Sequence, residues 1–295
     1  MSTPTILFFG STSHPSLGPL YNHLKGRDRR RVVFLPLETF PSGLEFYLEL
    51  GPGFEDGLFI IPEEQPVALD DLVSVCLDGY YIAPEQGETL SPEDREYLQV
   101  ESWATLIALF HRLSRRCLVA NHVLWREHLN SRLSVLAYFQ ARGLPVPRVL
   151  VTSQPEAAQV FFDEQAGQVI YRPVGGRQQP FRAMEAADLE RLHELKGAPI
   201  HFEESPRGLP AVAVVVGSSA VVLPREAPVP VELVHRAMAA CHELGLFLAE
   251  VVLREEERGW LVTDLRTFPG FDTLQDAQVA EAVSNFLEEG RPSPE

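Results

Sequence analysis

A change of rhythm along the chain constrains its fold most. Short apolar runs alternate with helical segments over the first third, and closely spaced hairpin-like runs take over near residue 200. Thr5 to Phe9 and Arg31 to Leu35 read as buried strands, with a candidate helix from Leu17 to Lys25 between them. Two more strands, Leu58 to Ile61 and Leu72 to Leu77, follow through loops rich in Pro and Gly. Ser91-Pro92-Glu93-Asp94 is a helix start: a capping serine, a proline in the first turn and acids at the positive end of the helix. Trp103, Leu106, Phe110 and Leu113 then form one apolar stripe that runs to Arg115 and Arg116, and Cys117 to Ala120 resumes a strand. This third predicts an open α/β unit.

A short helix marked by Leu129, Leu133, Leu136 and Ala137 follows, ending at Gly143 because Pro145 and Pro147 forbid its continuation. Val149 to Thr152 is a strand, Ser153 to Glu156 reads as a capping box opening the next helix, and Gln168 to Arg172 is again a strand. A polar helix from Ala183 to Lys196 is expected to lead into strand Pro199 to Glu204. Beyond that point the expectation is antiparallel: strands Ala211–Val216, Ala220–Leu223, Phe247–Leu253 and Gly259–Leu265, with Arg254 to Arg258 as a hairpin loop. Helices Val231–Leu244 and Gln275–Leu287 complete an α+β second half, and 291–295 reads as a flexible tail.

Charge and cysteine usage narrow the function classes. The chain has 295 residues, with 25 Lys and Arg against 41 Asp and Glu, a formal charge of -16. That excess disfavours nucleic acid, because phosphate-backbone binding depends on basic side chains releasing counterions. The cluster from Lys25 to Arg31 is broken by Asp28 and reads as a solvated loop. Cys76, Cys117 and Cys241 are odd in number and far apart, which suits a reducing, cytoplasmic setting; Cys76, in an apolar strand, reads as a small buried hydrophobe. Residues 1–10 lack the basic region of a signal peptide, and Leu209 to Pro224 is cut by Gly217, so it reads as a hairpin rather than a membrane span.

Common catalytic motifs are missing. No G-x-G-x-x-G follows the first strand, and there is no G-x-x-x-x-G-K-[ST], H-E-x-x-H or G-x-S-x-G. The nine histidines, His111 and His235 among them, make no zinc-like spacing.

What carries information is the order of landmarks from Val119 onward. Asn121, Ser131-Arg132-Leu133, Gly143 to Pro147, a strand ending Tyr171-Arg172-Pro173, Phe202-Glu203-Glu204, the turn at Gly217, Arg225, Gly245-Leu246 and Thr263 to Gly270 appear in sequence. In that order the chain resembles the ATP-grasp superfamily, and is similar above all to RimK-type glutamate ligases and microviridin-type peptide ligases. The resemblance implies an ATP-grasp fold with an N-terminal α/β domain (1–120), a central subdomain (121–200) and a C-terminal subdomain (201–290). It implies ATP and Mg²⁺ as cofactors, an acyl-phosphate ligation, a peptide partner and association into homo-oligomers.

By the same resemblance, Arg132 and Arg172 stand where two phosphate-binding lysines are expected, and Gly175 and Gly176 begin the loop over the phosphates. Glu203 and Glu204 fall where adenine and ribose are held, and Arg225 where a cation faces the reacting phosphate. The metal-binding positions are Val252, Asp264 and Arg266. Mg²⁺ requires oxygen ligands, so Val252 contributes none and Arg266 brings a cation into a ligand's place. Glu250 could stand in only if no bulge turns it off that face.

Three readings stay open: a divergent carboxylate-amine ligase, a non-ligating fold that binds a nucleotide, anion or peptide partner, or a metal-free cage of Arg132, Arg172, Arg225 and Arg266 for an anion. The second is placed ahead of the first because the chemistry resides in the site rather than the fold.

Overall fold

The structure is a computed structural model that describes residues 3–11, 15–36, 40, 45–51, 54–60, 66–78, 90–121, 131–175 and 180–290. Its first sheet is parallel. Strands β1 (Thr5–Gly10), β2 (Arg31–Pro36), β6 (Leu72–Asp78) and β7 (Leu118–Ala120) lie in the order β2-β1-β6-β7. All six residues of β1 are buried, as expected of a strand covered on both faces. Helix α1 (Leu17–Arg27) connects β1 to β2. Between β2 and β6 lies an antiparallel sheet, β3 (Glu45–Gly51), β4 (Phe54–Ile60) and β5 (Val67–Ala68), of which the sequence indicated only the central strand.

Helix α2 (Pro92–Leu113) starts as the sequence predicts. Ser91 is its cap and accepts a hydrogen bond from the Asp94 amide, 3.1 Å away. Helix α3 (Arg132–Ala141) is capped in the same way by Ser131; Leu129, read as its start, lies outside the described residues. The second sheet is antiparallel, with the order β10-β9-β11-β8: β8 (Val149–Thr152), β9 (Val169–Pro173), β10 (Arg182–Ala183) and β11 (Ile200–Glu204). Helix α4 (Pro155–Glu164) packs on it. The third sheet, β13-β12-β14-β15, combines β12 (Pro210–Val216), β13 (Ser219–Leu223), β14 (Leu248–Glu256) and β15 (Gly259–Arg266) with helices α5 (Val231–Glu243) and α6 (Ala277–Glu289). The β12–β13 turn holds Gly217 at a φ of 55°, a left-handed value that favours glycine. No described helix is long and apolar enough to cross a membrane.

Three local expectations need correction. The capping box at Ser153 does not form: Gln154 is the cap position, it makes no side-chain cap bond, and its amide donates instead to Thr152 Oγ1. The long helix from Ala183 breaks up, because Ala183 pairs with Ile170 in the sheet and leaves a helical turn at Ala186–Glu190 and a 3₁₀ segment at Leu192–Gly197. The basic cluster near Lys25 is not a solvated loop either. Arg27 ends α1 and joins Glu281, Glu288 and Asn285 of α6, its Nε 2.8 Å from Glu288.

Packing unites these sheets unevenly. One apolar cluster runs from Leu7, Phe9 and Val75 through Leu106 and Phe139 to Ala213, Val251 and Val262, so the first and third sheets share a core. The second sheet has its own, built from Ala158, Phe161, Val169, Met184, Leu192, Leu195 and Phe202.

Asn121 is the polar fastening between the first and third sheets. Its amide nitrogen donates to the carbonyls of Leu248 and Thr267, and its oxygen accepts from the amides of Phe247 and Leu248 at 3.1 and 3.0 Å. Asn121→Ala would leave buried backbone groups without partners, and we expect urea unfolding to report a loss of about 3 kcal/mol. The three thiols are all buried, and burial pushes those of Cys117 and Cys241 up to about 12. A thiol reagent should therefore label the native chain negligibly, and all three positions after denaturation.

Candidate functional site

The site begins with strand alternation. On β11, Ile200 and Phe202 face the lobe's own core, so His201 and Glu203 face the opposite way, and pairing places Arg172 of β9 beside His201. His201, Glu203 and Arg172 are all buried, at 2%, 0% and 8% exposure. Into this face the first residue of α3 inserts Arg132. Its Nε and Nη2 donate to the two Glu203 oxygens at 2.7 and 2.6 Å, a bidentate pair. The third guanidinium nitrogen, Nη1, lies 3.3 Å from Asp264 of β15. His201 Nε2 lies 3.1 Å from Glu203. The Phe181 ring covers the group, its centroid 5.0 Å from the Arg132 guanidinium and 4.3 Å from that of Arg172.

Arg132 therefore joins the second sheet to the third. Beside it, register aligns Val252 with Asp264 and Glu250 with Arg266. The bulge in this strand pair falls between Val252 and Leu253, beyond both pairs, so all four side chains share one face. Glu250 is fully buried, and its oxygens are committed: Oε2 accepts from Arg266 at 2.9 Å, and Oε1 from the Gly270 amide at 2.8 Å and from the Thr273 hydroxyl.

The remaining positions scatter. Glu204, one residue from Glu203, points to the other side, where its carboxylate accepts from Arg258 at 2.6 Å and from the Arg148 amide. Arg225 is half exposed and pairs with Asp276, the cap of α6, at 3.0 Å. Gly175 has open space about it, and Gly176 lies outside the described residues. Of the four arginines, Arg132, Arg225 and Arg266 thus spend their charge on carboxylates of this chain. Sequence reasoning missed His201 and Phe181; the alternation of His201 with Phe202 was the signal for the first, and nothing local pointed to the second.

Electrostatics follow from this burial. Desolvation works against a charged Glu203, but the hydrogen bonds from Arg132 and His201 outweigh it and hold the carboxyl below its ordinary range. Arg132, desolvated as well, is kept above its ordinary value by Glu203 and Asp264. A Mg²⁺ ion with its nucleotide does not fit this donor set. Val252 has no oxygen, Asp264 faces a guanidinium and both Glu250 oxygens are engaged. Among the described residues, no three His, Cys, Asp or Glu side chains come together to hold a metal.

A parallel sheet sharing its core with a C-terminal antiparallel sheet, and a second antiparallel sheet with a core of its own tied to the third through Arg132, make the ATP-grasp fold, which this chain shares over nearly its whole length with solved structures. The structure is similar to the macrocyclase MdnC of Microcystis aeruginosa MRC, solved bound with precursor peptide MdnA, with a TM-score of 0.78 at 15% identity, covering 96% of this chain and 99% of that one. It is also similar to a Chryseobacterium gregarium RiPP-associated ATP-grasp ligase in complex with ADP and a leader and core peptide, with a TM-score of 0.79 at 14% identity and coverage of 99% and 98%. The ATP-grasp ligase PsnB, complexed with minimal precursor, Mg and ADP, matches with a TM-score of 0.75 at 22% identity, over 96% of this chain and 97% of that one. No protein-family model matches the sequence, and no curated protein matches it.

The buried pair makes a sharp prediction. Removing one partner of such a pair costs about 3–5 kcal/mol, whereas replacing both with apolar groups is often close to neutral. Glu203→Gln should therefore destabilise the chain by that order in urea unfolding, and Arg132→Leu/Glu203→Leu should recover most of the loss. Because the Glu203 pKa is depressed, its contribution is present above the unfolded value of about 4.3 and is lost as pH falls through the folded value. Acid unfolding of the double variant should consequently lose a transition component that the native chain shows below about pH 4.

Proposed function

We propose that this ATP-grasp-fold chain is a non-ligating member that binds a peptide or anionic partner rather than carrying out Mg²⁺-dependent phosphoryl chemistry. One observation carries the reading: Arg132, expected to grip phosphate, is closed on Glu203, expected to hold adenine or ribose, and Arg266, at an expected metal position, is closed on Glu250. An incoming triphosphate would have to displace a buried bidentate carboxylate from Arg132 and would leave Glu203 without its main counter-charge. That exchange is costly in a desolvated site.

A peptide partner is supported by the solved relatives in which precursor, leader or core peptides are bound. In this chain a groove of about 760 Å³ between α3, β8 and α4 offers apolar surface from Leu133, Val146, Leu150 and Val160. The ligase reading has its own specific support. The likeness spans the full chain and includes ligases solved with ADP and with Mg, and Asp264 keeps 39% of its side chain exposed.

Calorimetric titration with ATP separates the two. The non-ligating reading expects that adding Mg²⁺ leaves nucleotide binding unchanged and that no ADP is released in the presence of an acidic peptide. Mg²⁺-dependent binding with ADP release would establish the ligase instead. A Val252→Asp, Arg266→Asn double variant restores two oxygen ligands and frees one Glu250 oxygen, so it should gain Mg²⁺-dependent nucleotide binding over the native chain.

A further inference from the structure

The groove between α3, β8 and α4 has a polar floor as well as apolar walls. Strand β8 is the last strand of its sheet, and among the described residues no strand pairs with its outer edge. The Glu204 amide donates to the Arg148 carbonyl at 3.0 Å, which fixes the phase of the ladder. Hydrogen-bonded residues alternate in an antiparallel pair, so Leu150 and Thr152 bond to Phe202 and Ile200. Val149 and Val151 stand opposite Glu203 and His201, and they turn their amides and carbonyls to the open edge. Four backbone groups are thus presented along the groove.

An open edge is ordinarily blunted by proline, lysine or a bulge. β8 reads Val-Leu-Val-Thr, without charge, and its register with β11 is unbroken. Two walls flank it instead. Leu150 shares the lobe's core with Phe161, so Ala157, Val160 and Phe161 of α4 rise on its side of the strand. Glu203, opposite Val149, bonds to Arg132 at the start of α3, so Leu133, Leu136 and Ala137 rise on the other side. Leu133 and Val160, on facing walls, are 37% and 55% exposed.

This floor discriminates between shapes of ligand. A helix laid in the groove would leave the four edge groups unanswered. An extended segment pairs with them and sends successive side chains to the two apolar walls in turn. β8 is about 13 Å long at strand rise, which suits a segment of roughly four to six residues. Charge then sets its direction. Arg148 and Glu164 neutralise each other at one end of the groove, 2.8 Å apart. At the Thr152 end Glu156, exposed in the first turn of α4, has no ion-pair partner among the described residues. A strand added antiparallel begins at that end, so its N-terminal side meets the acid. The formal charge of -16 on the whole chain favours the same polarity.

We propose that the edge of β8 takes up an extended apolar segment of a partner peptide as a fifth, antiparallel strand, with a positive charge at the segment's N-terminal end against Glu156. Backbone pairing to Val149 and Val151 supplies the alignment, and the two walls supply the apolar contact. The inference rests on the peptide half of the proposed function and is indifferent to what the cleft does with nucleotide.

Fluorescence anisotropy on the full chain tests this with a labelled hexapeptide, a lysine followed by alternating valine and leucine. The native chain should bind it saturably. Val151→Pro removes a donor that faces the groove and none that bonds to β11, so it should weaken binding at least tenfold while thermal unfolding stays within a few degrees. Val160→Asp should weaken binding by a similar factor. Glu156→Arg should weaken the lysine-headed peptide and tighten a glutamate-headed one. Carbonyl-labelled peptide should show a strand band in the infrared when bound. No binding at millimolar peptide overturns the proposal, as does a helical band or indifference to Val151→Pro. A dimer of the chain itself that Val151→Pro dissolves would hand the edge to a second copy and also overturn it. Mg²⁺-dependent ADP release would end the non-ligating reading and leave every one of these outcomes as it stands.

Discussion

Arg132 gives up two guanidinium nitrogens to a fully buried carboxylate and directs the third at a carboxylate on another sheet. Most of the site's geometry depends on that commitment. Ser131 caps the helix and so fixes where Arg132 starts; pairing of β11 between β8 and β9 fixes where Glu203 ends. Phe181 lies over the guanidinium groups of Arg132 and Arg172 and adds a cation–π contact to each. Arg132 and Glu203 balance each other in a buried setting, so neither can be reassigned to a ligand without leaving the other to bear the cost of burial.

The distribution of apolar packing gives this pair a mechanical role as well. The first and third sheets are joined through one continuous core and the Asn121 hydrogen bonds, whereas the second sheet closes around residues of its own. The second sheet is thus held to the others substantially by charge: Arg132 to Glu203 on one side and Arg258 to Glu204 on the other. Charged ties are directional and tolerate little misplacement, so they position the lobe where a hydrophobic seam would let it slide.

Local periodicity made most of this fold legible. The parallel strands, the α2 cap and the antiparallel hairpins are written in short-range pattern, and the structure places most of their ends within a residue or two of expectation; β14 runs three residues further than expected, to Glu256, so the loop read at Arg254 to Arg258 shrinks to a turn at Glu257 and Arg258. What escaped did so for identifiable reasons. Strand β3, Glu45 to Gly51, mixes acids with aromatics between Pro- and Gly-rich punctuation, so its alternation does not stand out. Ala183 has a helix former's side chain but a strand partner in Ile170, and tertiary pairing overrode propensity. In the site, Arg132 and Glu203 were both visible as charged landmarks, yet their union spans 71 positions and has no local signature. The sequence read them as two contacts for a nucleotide; the structure joins them to each other.

Adjacent glutamates at 203 and 204 carry one further implication. Their side chains leave β11 in opposite directions, each to its own arginine. A slip of β11 by one position would swing Glu203 into the oily interior beside Phe161 and turn Phe202 toward the arginines, forfeiting both ion pairs at once. The doublet is therefore a notch that lets this strand seat in a single alignment.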